Sequence, residues 1–475
     1  MLPSVFRRHL PLVRVNQRAR ILVVIFSCVA TDAAAAQSVP DAVRTRRAPT
    51  TAADTLPPLT LAAVHARLAS HNPRLAAARA DVDAADARVA TAATLPDPRL
   101  QLGIMNRDLP SLRPMETLGM DQLQVMQMVP IGGKLASAGR AAEARAASTR
   151  ARASARWWEL RRDATVAFYD LWATDRRLTV ARESQALLAQ AADAAESMYR
   201  VGQGRQADVL RAQMEVTRMS EEVLRMRTMR TTLVARLGGL LRLDIEADTL
   251  TLRIPRLAAV FADSAADSPD RFLRLAATNR PMLAAGRSDA AAAAASEQLA
   301  RRELWPDLEV GVQLARRPPS AAPPGMPATA DWMTSLMLGA SVPIFARSRQ
   351  LQMRAEASAM RAAAEADVVS METDTRAMVR EVLAMLRQSR ALEALYAHTL
   401  VPQAIAARDA AAAEYRTGSV DFMTVLDAHM NANKIRQEQY TLRAAEGSAI
   451  AELEMLIGRS LTDEATLLPL EDEIR

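Results

Sequence analysis

Five methionines fall close together between positions 105 and 128: Met105, Met115, Met120, Met126 and Met128. A thioether is a soft, neutral donor that suits Cu(I). The cluster therefore suggests a transient path for a soft metal ion. The competing explanation is that methionine fills crowded apolar surface in a chain that holds 23 of them. No other metal site suggests itself. His65, His71, His398 and His429 are scattered, and His65 and His71, six apart, do not share a helix face. They read as structural or exposed. Bond chemistry has no better basis. Gly202-x-Gly204 precedes a helical stretch but lacks the strand and third glycine of a nucleotide site. No serine near a histidine or aspartate makes a nucleophile elbow. The expectation is no enzyme and no cofactor.

The elements that carry these residues come in two kinds. Leu100, Leu102 and Ile104 alternate with Gln101, Gly103 and Met105, and Leu123, Val125 and Val129 lie opposite Gln122, Gln124, Met126 and Met128. Later, Leu308, Val310, Val312 and Leu314 alternate with Glu309, Gly311 and Gln313. Leu336, Leu338, Ala340 and Val342 then alternate with Ser335, Met337, Gly339 and Ser341. Period two with one apolar face predicts four strands. Each run is about 9–11 residues, enough to cross an outer membrane at a tilt. A soluble sheet with one face on a core would read the same way.

The second kind is helical. Lys134–Tyr199 contains no proline and one glycine, Gly139, and Arg349–Leu400 contains neither. A continuous helix of about 65 residues is roughly 100 Å long, which no compact core needs. Companion helices are predicted over about Gln206–Leu241 and Val420–Leu456. They join through Val201-Gly202-Gln203-Gly204 and Thr417-Gly418-Ser419, where glycine supplies the stop. A soluble coiled coil would share these features but leaves the strands unexplained.

The elements repeat in order. Pro73 and Pro281 are 208 apart, as are Gly103 and Gly311. Val129-Pro130-Ile131 matches Val342-Pro343-Ile344 at 213, Tyr199-Arg200-Val201-Gly202 matches Tyr415-Arg416-Thr417-Gly418 at 216, and Leu237-Gly238 matches Ile457-Gly458 at 220. The chain thus divides into a first repeat (59–270, hairpin about 98–131), a second repeat (271–461, hairpin about 306–344) and a tail (462–475).

Residues 1–36 read as a signal peptide, with Arg7 to Arg20, the apolar run Ile21–Ala30 and the small residues Ala34-Ala35-Ala36. Residues 37–58 read as an extended linker. Cys28, the only cysteine, leaves a lipid anchor as the alternative to plain cleavage. Cleavage would leave no thiol for disulfides or metal. The leader also accounts for most of the net charge of +6. The remainder is near neutral and offers no basic face for nucleic acid.

Lipid tolerates only helices or closed barrels. Four strands cannot close, since small barrels have about eight. If the strands span, the chain must oligomerise. Three copies would give twelve strands around a lumen lined by Gln101, Gln122, Gln124, Glu309 and Gln313, and would gather the long helices into a second tube. The Pro-rich loop Arg316–Asp331 and the loop Asn106–Gly119 would then face outside the cell.

The tip motifs, with Ala207-Asp208-Val209-Leu210-Arg211-Ala212-Gln213 after the first and Thr424-Val425-Leu426-Asp427-Ala428 after the second, resemble those of the TolC family of outer-membrane efflux proteins. The resemblance covers about Leu59 to Leu461. Leu95-Pro96-Asp97-Pro98 and Val129-Pro130-Ile131-Gly132-Gly133-Lys134 are similar to the branch with the metal-efflux subunits CzcC and CusC. The resemblance implies a mainly α protein with a small transmembrane β part. It implies a homotrimer with a 12-stranded β-barrel in outer-membrane lipid and a periplasmic α-helical barrel. It also implies adaptor contacts at Val201, Gly202, Gln203, Thr417, Gly418 and Ser419, and an inner-membrane pump, of the RND type, that exports metal cations or drugs. The alternatives are a periplasmic coiled-coil adaptor or scaffold without a pore, and the outer component of type I protein secretion.

Overall fold

The computed structural model describes residues 59–108, 111, 119–244, 250–254, 268–317, 325 and 332–461. The expected leader with Cys28, the linker, the tail, Met115 and most of both hairpin loops lie outside the described residues.

The chain opens with β1 (Leu59–Thr60), α1 (Leu61–His71) and α2 (Pro73–Ala92). Pro73 cannot continue α1 but suits a first helical turn. Asn72 before it accepts from the Arg74 and Leu75 amides at 2.9 and 3.3 Å. A hairpin of β2 (Arg99–Met105) and β3 (Met120–Pro130) follows, then α3 (Lys134–Arg200), a single helix of 67 residues, and α4 (Gln206–Leu241). The second half runs β4 (Leu252–Arg253), α5 (Pro269–Asn279), α6 (Pro281–Arg302), β5 (Asp307–Arg316), β6 (Trp332–Ser341) and α7 (Gln350–Leu395). A π-helical turn (Tyr396–Leu400) then leads into α8 (Val401–Arg416), and α9 (Phe422–Ile457) ends the described chain.

The helix after β6 does not stop at Leu400, where the proline-free stretch ends. Pro402 has no N–H to give to the carbonyl four residues back. The chain widens into the π turn instead, and the rod continues to Arg416. The offset of 220 is also corrected. The helices α4 and α9 end at the left-handed residues Arg242 (φ 52°) and Gly458 (φ 60°), which are 216 apart. Gly238 lies a turn inside α4, which continues because Leu237 and Leu241 are fully buried. From helix start to helix end the spacing stays at 216, and the increase from 208 falls between β2 and the start of α3.

Two apolar clusters hold the helices. The larger joins Leu61, Val64 and Leu68 of α1 to Phe168, Tyr169, Leu171 and Trp172 of α3, Phe272 of α5, Leu383 of α7 and Leu453 of α9. Burying each such side chain contributes about 1.5–3 kcal/mol. The smaller cluster lies towards the hairpin turns, where Phe422 and Leu426 of α9 pack on Leu188 of α3 and on Val209 and Ala212 of α4. The first half of α7 has no such cover. Leu351, Met353, Met360 and Val369 are exposed along it. One small sheet was invisible in the sequence. β1 and β4 pair in parallel over two residues each, Leu59 with Leu252 and Thr60 with Arg253, too short for any periodicity.

Candidate functional site

The larger sheet is antiparallel in the order β2-β3-β5-β6. Its register sorts the side chains by chemistry. Gln101, Gln124, Gln313 and Ser335 form one cross-strand row, and Gly103, Gln122, Ala315 and Met333 form the next on the same face. Gln313 donates to Gln122 Oε1 at 2.6 Å. Glu309 follows on that face, opposite Met128 and Gly339. All five polar residues singled out in the sequence therefore share one face. Met105, Met120, Met126 and Met128 share it too. Met333 and Met337 join them from β6, a contribution hidden when attention stays on the first hairpin.

The opposite face is apolar and exposed. Its rows are Leu100, Val125, Val312 and Leu336, then Leu102, Leu123, Leu314 and Thr334. Leu102 is 80% exposed, Leu336 70% and Leu338 76%. A surface of this kind marks contact with lipid or another protein. Its loop end carries charge and an aromatic ring. Arg107 pairs with Asp121, and Arg316 lies over the Trp332 ring at 5.7 Å. At the helix end the buried Lys134 donates to Asp307 at 2.8 Å and to Glu303 at 3.5 Å, which ties α3 to the base of β5. The outer edges of β2 and β6 have no strand beside them among the described residues.

The hairpin turns sit at the other ends of the long helices. Val201, Gly202, Gln203, Thr417, Gly418 and Ser419 are all exposed. Gly202 (φ 75°) and Gly418 (φ 76°) take the left-handed conformation that stops the helix. Backbone bonds from Gln203 to the Met198 carbonyl (2.9 Å) and from Ser419 to the Glu414 carbonyl (3.0 Å) close the two turns alike. Asp421 caps α9 through the Thr424 amide at 3.0 Å and accepts from its hydroxyl at 2.7 Å. Those bonds hold the Asp421 carboxyl below its usual value. Tyr415 meets Phe422 edge-on, with ring centres 5.7 Å apart. Burial, then Asp208, raises the Tyr415 hydroxyl pKa. Phe422, which fastens one hairpin to the other, was not foreseen, although an aromatic directly after a turn in an aromatic-poor chain was the available signal.

A family described as Outer membrane efflux protein matches residues 64–241 and 272–459. The chain belongs to this family. As an outer membrane efflux protein it is the outer-membrane channel of a tripartite efflux system, not an enzyme, and it extends into the periplasm. The first matched segment holds the β2–β3 hairpin and the second the β5–β6 hairpin, each with the long helices of its half.

Solved structures share the fold. The outer-membrane channel OprN is 19% identical, with 84% of this chain and 90% of that one covered at a TM-score of 0.68. CusC is 16% identical, covering 84% and 92% at 0.69. VceC of Vibrio cholerae is 17% identical, covering 84% and 96% at 0.67. Among curated proteins, none matches the chain. Among the described residues no helix is long and apolar enough to cross a membrane, and no group of three or more His, Cys, Asp or Glu could hold a metal ion.

Proposed function

We propose that three copies of this outer membrane efflux protein close a twelve-stranded β-barrel and continue it as a periplasmic helical tube. Each chain contributes two repeats, about 59–270 and 271–461. The assembly is a passive exit duct for heavy-metal cations or drugs, delivered by an RND-type pump through a periplasmic adaptor. The pump supplies the energy. One observation carries the reading: an antiparallel sheet of four strands with an exposed apolar face on one side, glutamines on the other, and both edges open among the described residues. In lipid such edges must be paired, and the available partner for β6 is β2 of the next copy. The exposed side chains of Leu351, Met353, Met360 and Val369 on α7 suit the same neighbour. Gln101, Gln122, Gln124, Glu309 and Gln313 then line the lumen, and the two turns meet the adaptor.

Native mass spectrometry in detergent and planar-bilayer recording test this together. Three chains and a steady ion conductance are expected. A protein that stays soluble without detergent and conducts nothing is a periplasmic scaffold, and the proposal fails.

A further inference from the structure

Two methionines of the polar face stand on either side of a glycine. Met126 on β3 and Met337 on β6 are both Cα partners of Gly311 on β5. Neighbouring strands lie about 4.8 Å apart, so the two backbones are roughly 10 Å from each other. No side chain stands between them, and each thioether has only half the gap to cover. The Met126 side chain already leans over the glycine. Its Cγ lies 3.0 Å from where a Cβ on Gly311 would stand. Both methionines are half-buried.

The next row supplies charge. Glu309 leans over Gly339, with Oε2 3.6 Å from the position of a Cβ there, and Gly339 lies two residues from Met337 on the same face. A carboxylate thus stands beside the thioether pair. The cation in the methionine row, Arg99, is exposed on the edge strand, on the far side of Met126 from Met337.

We propose that Met126 and Met337 form a two-thioether station for a soft monovalent cation, Cu(I) or Ag(I), with Glu309 compensating its charge. This rests on the reading of the polar face as the lumen of a duct, and it names a substrate class for that duct. Thioethers prefer soft ions, whereas carboxylate and carbonyl oxygens suit Mg²⁺ or Ca²⁺. Two neutral ligands bind weakly, as a duct requires, since an ion must leave as readily as it enters. Threefold assembly sets three such stations at one height. The station also explains why Gly311 is small: any side chain there would separate the sulfurs.

The test is Ag(I) block of single-channel current, recorded in nitrate salts across planar bilayers. Wild type is expected to conduct and to be blocked by Ag(I). Met126→Leu/Met337→Leu, which nearly conserves volume, is expected to conduct equally and to need about tenfold more Ag(I) for half block. Met333→Leu, on the same face beside Ala315, is expected to block like wild type. Equal block in wild type and the double variant overturns the station, as does equal loss of block in Met333→Leu. Absence of any conductance in wild type overturns the duct instead, so the two failures are distinct.

Discussion

Gly447 on α9 lies flat against the ring of Tyr169 on α3: a Cβ at that glycine would come within 2.5 Å of Tyr169 Cε2. Tyr169 is buried, and its hydroxyl has no hydrogen-bond partner among the described residues. The contact lets two long helices approach closely inside the larger cluster. Gly447→Ala is therefore expected to overpack the core and cost about 1–3 kcal/mol per chain. Tyr169→Phe removes only an unpartnered hydroxyl and is expected to be neutral or slightly stabilising. Thermal unfolding in detergent reads both. A Gly447→Ala protein as stable as wild type would show that α9 can move away freely.

The sequence carried the period of its elements well and their long-range meetings poorly. Alternation located β2, β3, β5 and β6, and the near absence of proline and glycine located α3 and α7, because each signal is local and repeated. Gly447 gave no such signal. It sits among small residues, and only the arrival of Tyr169 from 278 positions away gives it a role. Gly238 misled for the converse reason: it pairs with Gly458 by residue type, but burial of Leu237 and Leu241 carries α4 past it, and Arg242 takes the left-handed end that Gly458 takes in the second half. The polar face of Gln101, Gln124 and Gln313 was legible, but its extension onto β6 through Met333, Ser335 and Met337 depended on the pairing of β6 with β5.

Acid should weaken the fold through His65. This residue, 8% exposed, meets Thr165 Oγ1 at 2.8 Å. Thr165 already donates its hydroxyl to the Arg161 carbonyl at 2.8 Å, so His65 Nε2 must be the donor. Burial, then the Arg161 charge, lowers its pKa to about 3. Between that value and the unfolded one near 6.5, the unfolded chain binds a proton that the folded chain does not. Stability is thus full above about pH 6.5 and falls as pH drops through the window, by about 2–3 kcal/mol per chain at pH 4.5. Burial, then Arg408, also lowers His429, which acts in the same sense. Melting curves at pH 7.5 and 4.5 should differ less in His65→Gln than in wild type. An identical pH difference in both would remove His65 from the explanation.

The two faces of the sheet should respond oppositely to charge. Leu338→Arg places a cation on the exposed apolar face, where lipid makes it cost about 2–4 kcal/mol near mid-membrane. Gln101→Arg places one on the polar face, where water solvates it. Folding into lipid vesicles, followed by the heat-dependent gel shift of closed barrels, is expected to fail or slow only for Leu338→Arg. Equal tolerance of both would mean the apolar face never meets lipid.

Coupling at the turns should be separable from stability. Nothing lies within 4 Å of a Cβ added at Gly202 or Gly418, so neither position is sterically closed. Both have φ near 75°, where a side chain costs about 1–2 kcal/mol. That strain falls on an exposed turn far from the larger cluster, and the closing bonds from Ser419 to Glu414 and from Gln203 to Met198 can distort locally. Gly202→Val/Gly418→Val is therefore expected to melt within a few degrees of wild type and to conduct in bilayers. If the turns are the adaptor contacts, the same variant should lose export in cells and lose cross-linking to the adaptor. Full export by a variant with demonstrably altered turns would move the contact elsewhere, such as to the groove between α4 and α9 lined by Glu222, Arg225, Lys434 and Glu438.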